Sequence, residues 1–205
     1  MINVGIITFH RAINYGAVLQ AYALQEALKE HGVSCKIIDY HSPAIENYYK
    51  PFLVTGVSRK ARLKNSVRAL SAYPVRRKKM YRVRAFVNEY LDLTRPVTGK
   101  NVSELNPLFD MFITGSDQVF NTDITRTDAG AYYLIFVDEG HARCSYAASF
   151  GKDNVAQDKV ELVAGALASF RHISVREPSG ETLVHMLTGK EAHTHIDPTL
   201  LRHSD

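Results

Sequence analysis

Short β-branched runs that alternate with helical stretches are the feature that most limits how this chain can fold. Residues 2–9 form a nearly continuous apolar run, the pattern of a parallel strand buried on both faces. Residues 17–29 then place Ala17, Ala21, Leu24 and Leu28 at helical spacing, with Gly32 as a stop. Residues 35–40 read as a second strand. Together they make a βαβ unit, whose crossover is expected to be right-handed.

From His41 the pattern breaks. Pro43, Pro51 and Gly56 mark a loop, and a basic helical insertion is expected at about 57–94, with one helix near 58–71 and another over 75–93. The strand pattern resumes at 109–114, and extended segments are expected at 132–137 and 143–149. A helix over 155–170, a strand over 172–175, a helix over 178–187 opened by Pro178, and a strand at 193–196 complete the series. The class implied is α/β: an open, mostly parallel, doubly wound Rossmann-like sheet covered by helices on both faces.

An apolar share of 45% in 205 residues supports a core without disulfides. Cys35 and Cys144 lie in apolar strand-like runs, which favours free buried thiols. Residues 1–7 lack the basic start and cleavage site of a signal peptide, and no apolar run approaches the ~20 residues of a membrane span. A cytoplasmic protein is therefore expected. The net charge of +4 is unevenly spread: residues 59–84 hold 11 Lys or Arg and no acid. With those set aside from the 25, 14 basic residues face 21 acidic ones. The segment has only Tyr73 and Tyr81 as stacking aromatics, so nucleic acid is a poor partner for it; a solvated face or a peripheral contact with an anionic membrane fits better.

In an open parallel sheet, functional polar residues lie beyond the carboxyl ends of the strands. Six such stretches follow the expected strands: residues 10–16, 39–41, 115–118, 149–151, 176–177 and 197–199. All should open on one edge. Capping and turn formation would account for each of them separately. Asn14, Gly16 and Gln20 shape the first turn into a helix, whose N-terminus favours an anion. Gly115, Ser116, Asp117 and Gln118 combine a flexible glycine with groups able to bind a polyol, or else form an Asx-turn that reverses the chain. Arg176, beside Glu177, could hold a phosphate or carboxylate, or pair structurally with Glu177 or Asp197. No dinucleotide fingerprint or Walker A loop is present, and His193, His195 and Asp197 lack a further ligand cluster, so neither cofactor nor metal is expected.

Five segments, in order, resemble the polysaccharide pyruvyl transferases. They are Asn14-Tyr15-Gly16-Ala17-Val18-Leu19-Gln20 with Tyr22-Ala23-Leu24, Gly115-Ser116-Asp117-Gln118-Val119-Phe120-Asn121, Ser145-Tyr146-Ala147-Ala148-Ser149-Phe150-Gly151, Ile173-Ser174-Val175-Arg176-Glu177, and Asp197-Pro198-Thr199-Leu200-Leu201. Phe120 stands where the family usually has Trp. The resemblance implies the N-terminal half of a two-domain, GT-B-like fold, the family continuing past the last motif into a second domain. It implies transfer of a pyruvyl group from phosphoenolpyruvate, the donor substrate, to sugar hydroxyls of a bacterial cell-surface polysaccharide or its lipid-linked precursor, as a ketal. Asp117 is the candidate base; Asn14, Gly16, Gln20, Gly115, Ser116, Gln118, Arg176 and Glu177 are candidate substrate contacts. A non-catalytic sugar-binding or assembly module, or an inactive truncated fragment, is the alternative.

Overall fold

The computed structural model describes residues 2–49 and 59–201. The loop expected around Pro51 and Gly56, and residues 57–58 of the expected insertion, lie outside them. Six strands form one sheet: β1 (Asn3–Ile7), β2 (Ser34–Ile37), β3 (Met111–Asp117), β4 (Ala142–Ala148), β5 (Ser174–Val175) and β6 (His193–Thr194). Every pairing is parallel and the order is β2-β1-β3-β4-β5-β6. The chain steps from β1 to β2 in one direction, then returns past β1 to build β3 to β6 in the other. The strand order therefore reverses between β1 and β3, where a crevice opens at the carboxyl edge.

Helix α1 (Tyr15–Glu30) follows β1, and the short α2 (Pro43–Tyr48) follows β2. The long α3 (Arg59–Tyr90) comes next. Beyond β3 lie α4 (Thr122–Thr125) and α5 (Ala129–Tyr132); α6 (Val160–Ala168) and α7 (Pro178–Thr188) follow β4 and β5. Side-chain alternation sends Val4 and Ile6 to one face of β1 and Ile7 to the other. On the first face Val18, Ala21 and Leu24 of α1 and Val83 and Val87 of α3 cover the sheet. On the second, Phe120, Tyr133, Phe150 and Phe170 pack with Val163 and Leu167 of α6 and Leu183 and Val184 of α7. Both faces are covered, as the strand-helix alternation requires.

The structure corrects several boundaries. The two basic helices are one: α3 runs through Pro74. Proline removes the N–H that would bond to the carbonyl of residue 70, but Leu70 is 66% exposed, so water can take that carbonyl. Residues 132–137 are not a strand. Tyr133 N donates to Ala129 O at 2.9 Å and Ile135 N to Gly130 O at 2.9 Å, closing α5 and a turn. Tyr132, Tyr133 and Leu134 are apolar because they fill the core, a pattern that does not by itself separate a strand from a buried helical turn. The helix expected over 155–170 shrinks to a 3-10 turn (Gln157–Lys159) and α6. Strand β3 continues to Asp117, so Gly115, Ser116 and Asp117 end a strand rather than follow one.

Cys35 on β2 and Cys144 on β4 are free and buried on the same face. Three strand spacings separate them, about 14 Å, twice the reach of a disulfide.

Candidate functional site

All six polar stretches open on the carboxyl edge, because all six strands are parallel. Their centre is the end of β3. Gly115 lies opposite Tyr146 of β4, so close that a β-carbon at Gly115 would sit 2.2 Å from the Tyr146 carbonyl oxygen. Only glycine fits there, and its φ of 130° is likewise open to glycine alone. Asp117 follows with φ 77°, a left-handed conformation rare outside glycine. Such a backbone costs on the order of 1–3 kcal/mol and is concentrated at functional sites. The Asp117 Oδ1 accepts from Gln118 N at 2.8 Å.

Gln20 and Ser116 lie beneath this edge. The Gln20 Nε2 donates to Thr8 Oγ1 at 2.8 Å and to Ala17 O at 2.7 Å, while its Oε1 accepts from Ser116 N at 3.0 Å. A buried carboxamide with both ends engaged holds α1, β1 and β3 in register. Gln20 therefore supports the site from below. Ser116 is also buried, and its hydroxyl lies 3.0 Å from Ala147 O and 3.3 Å from Asp197 Oδ2. Asn14 caps α1, its Oδ1 accepting from Gly16 N at 3.0 Å, and both residues are exposed at the rim.

Arg176 meets both expected partners: Nε lies 3.1 Å from Glu177 Oε1 and Nη1 3.4 Å from Asp197 Oδ2. Glu177 Oε1 also accepts from the Ser149 hydroxyl at 2.8 Å. The guanidinium is thus flanked by carboxylates, with Asp117 in its field. Burial pushes the Asp117 carboxyl above its ordinary value and the nearby Asp197 charge adds to this; the Gln118 N–H and the Arg176 charge pull the other way.

At the crevice between β1 and β3 is a cavity of about 330 Å³. Phe9, Ala12 and Asn14 line it from the β1 side, Asp117 and Gln118 from the β3 side, Asp123 from α4 and Arg126 from the turn that follows α4. Gly151 lies against it: a β-carbon there would meet Gln118 Oε1 at 2.3 Å. Among the described residues Arg126 has no ion-pair partner, whereas Asp123 is paired with Lys152 at 2.7 Å.

Sequence reading missed Arg126, the bridging role of Asp197, and a second cluster beyond β1 and β2. There His10 Nε2 lies 3.1 Å from Asp39 Oδ1, and its Nδ1 3.2 Å from Thr8 O. Arg11 reaches Asp39 at 3.0 Å and Glu46 at 2.9 Å, and His41 Nδ1 is 3.2 Å from Glu46 Oε1. Burial would raise the Asp39 carboxyl, but the His10 hydrogen bond and the Arg11 charge hold it below its ordinary value. The signal was present for His10, Arg11, Asp39 and His41, which stand at strand ends; Glu46 lies within α2 and Arg126 just beyond α4, with no strand end to announce them.

An open parallel α/β sheet with a cavity at its strand-order reversal is the class of fold in which ligands bind outside the carboxyl ends of the strands, here those of β1 and β3. A family model for polysaccharide pyruvyl transferase matches residues 14–205, and the chain belongs to that family. No curated protein and no solved structure gives a significant match. No helix among the described residues is long and apolar enough to cross a membrane.

Proposed function

We propose that the protein transfers a pyruvyl group from phosphoenolpyruvate to sugar hydroxyls of a cell-surface polysaccharide or its lipid-linked precursor, forming a ketal. The observation that carries this reading is the Asp117 carboxylate. It is raised by burial, stands on a left-handed backbone, and lines a cavity at the strand-order reversal. A raised carboxyl is a stronger base once ionised, which suits removal of a hydroxyl proton. The hydroxyl oxygen would bond to the enol carbon as the terminal methylene takes a proton. A second sugar hydroxyl would then replace phosphate and close the ketal.

Three carboxylates, Asp117, Glu177 and Asp197, surround the one guanidinium of Arg176. That balance suits a neutral polyol, so the central edge is assigned to the acceptor, with Gln118 as a hydrogen-bonding neighbour. Arg126, on the same cavity and without an ion-pair partner among the described residues, its Nε reaching only the Asp123 carbonyl at 3.4 Å, is the better contact for the anionic donor.

The exposed part of α3 carries Arg76, Arg77, Lys78 and Arg82 together with exposed Leu70, Val75 and Tyr81. Cations interleaved with apolar side chains favour a peripheral contact with an anionic membrane, where a lipid-linked acceptor would be met.

The deciding experiment follows phosphate release from phosphoenolpyruvate with and without a sugar acceptor, and looks for ketal-bearing product by mass spectrometry. Acceptor-dependent release that falls by roughly 10²–10⁴ in Asp117→Asn supports the reading. Acceptor binding without any phosphate release would make the protein a sugar-binding module instead.

A further inference from the structure

A second and larger cavity, of about 720 Å³, lies outside the candidate site, between the loops after β1 and β2 and helix α3. Its polar wall is the cluster of His10, Arg11, His41 and Glu46. Because Arg11 is fixed by both Asp39 and Glu46, and His10 by Asp39 and the Thr8 carbonyl, this wall is preorganised. Its apolar wall is Met80, Val83 and Val87 of α3. Arg84 and Asn88 stand on that same helix, and Arg84 has no ion-pair partner among the described residues.

A rigid polar wall facing an apolar one fits a sugar ring, which carries hydroxyls at its edge and C–H bonds on its faces. The free guanidinium of Arg84 adds a contact for one negative group on that ring. Tyr49 lines both this cavity and the one at Asp117, so the two adjoin. We infer that this cleft is a subsite for an acidic saccharide, holding a phosphate- or carboxylate-bearing unit of the acceptor beside the unit placed at Asp117. The inference rests on the transferase reading for its neighbour, but the binding itself does not require turnover.

The occupant is a sugar with an acidic group, and the two sources of that group are separable. Titration of the intact chain by calorimetry and by NMR of the histidine rings would use glucose 1-phosphate, glucuronic acid, glucose and inorganic phosphate. At least one of the two acidic sugars is expected to bind more tightly than glucose or phosphate and to shift the His10 and His41 signals. Which one binds better identifies the group. Arg84→Ala, an exposed change checked for folding by circular dichroism, should weaken that acidic sugar about tenfold and leave glucose unchanged. Asp117→Asn should leave binding in this cleft intact even where it abolishes transfer, which separates failure of the subsite from failure of the catalytic reading. Phosphate binding as tightly as the acidic sugars, an unchanged affinity in Arg84→Ala, or no binding by either acidic sugar would each overturn the subsite.

Discussion

The Asp197 carboxylate accepts from the Ser116 hydroxyl at 3.3 Å, across 81 residues of sequence. Asp197 follows β6 at one edge of the sheet, yet it reaches the end of β3 near the centre. Its other neighbour, Arg176, follows β5. The ends of three separate strands are thereby joined into one charged surface beside Asp117.

That surface makes the pH dependence of transfer testable. Asp117 must be ionised to act as a base, so the rate should rise with pH through a midpoint above the ordinary value of 3.8. Arg176 lowers the Asp117 carboxyl through its charge, so Arg176→Ala should move that midpoint to still higher pH. A pH–rate profile of both proteins checks this; a midpoint that falls or stays fixed in the variant would remove the electrostatic link.

Acid stability should report on Asp39. Its carboxyl is held below 3.8 in the folded protein, so its contribution is fully present above that pH and is lost as pH falls through the lowered value. Asp39→Asn should cost about 2–3 kcal/mol at pH 7, because Arg11 and His10 lose a charged partner. Urea unfolding at pH 7 and pH 3 should show the gap between the two proteins narrowing at the lower pH.

The two glycines of the central edge should differ in rescue. Gly115→Ala drives a β-carbon into the Tyr146 backbone and should destabilise by roughly 4 kcal/mol or more, with no side-chain remedy. Gly151→Ala meets chiefly the far end of the Gln118 side chain, with Asn121 Nδ2 also close at 3.1 Å. Adding Gln118→Ala should therefore recover part of its loss, leaving about 1 kcal/mol for the left-handed backbone. A thermal-unfolding double-mutant cycle measures the recovery; strict additivity would show that Gln118 is not the obstacle.

Membrane contact should follow charge. Flotation with liposomes rich in anionic lipid should be strong at low salt, fall at high salt, and weaken further when Arg76, Arg77, Lys78 and Lys79 are neutralised together. No flotation with anionic liposomes at low salt would remove the membrane contact.

The sequence by itself determined the alternation of strands and helices, and with it the edge on which the polar loops open. Both follow from local periodicity: the apolar runs around Ile6, Ile113 and Val175 can be buried on both faces only as parallel strands covered by helices. It also singled out Gly115 as a flexible glycine among polar groups; that its place beside Tyr146 admits no side chain came from the tertiary structure. What it did not determine is which polar residues meet. The contact of Asp197 with Ser116, the hold of Asp39 on Arg11, and the approach of Arg126 to the Asp117 cavity depend on strand order, which no local pattern encodes. The tertiary structure also overruled local signals where the environment reversed their meaning. Pro74 sits in a helix because water can satisfy the carbonyl it strands, and Tyr132 to Leu134 are apolar because the core surrounds them on every side.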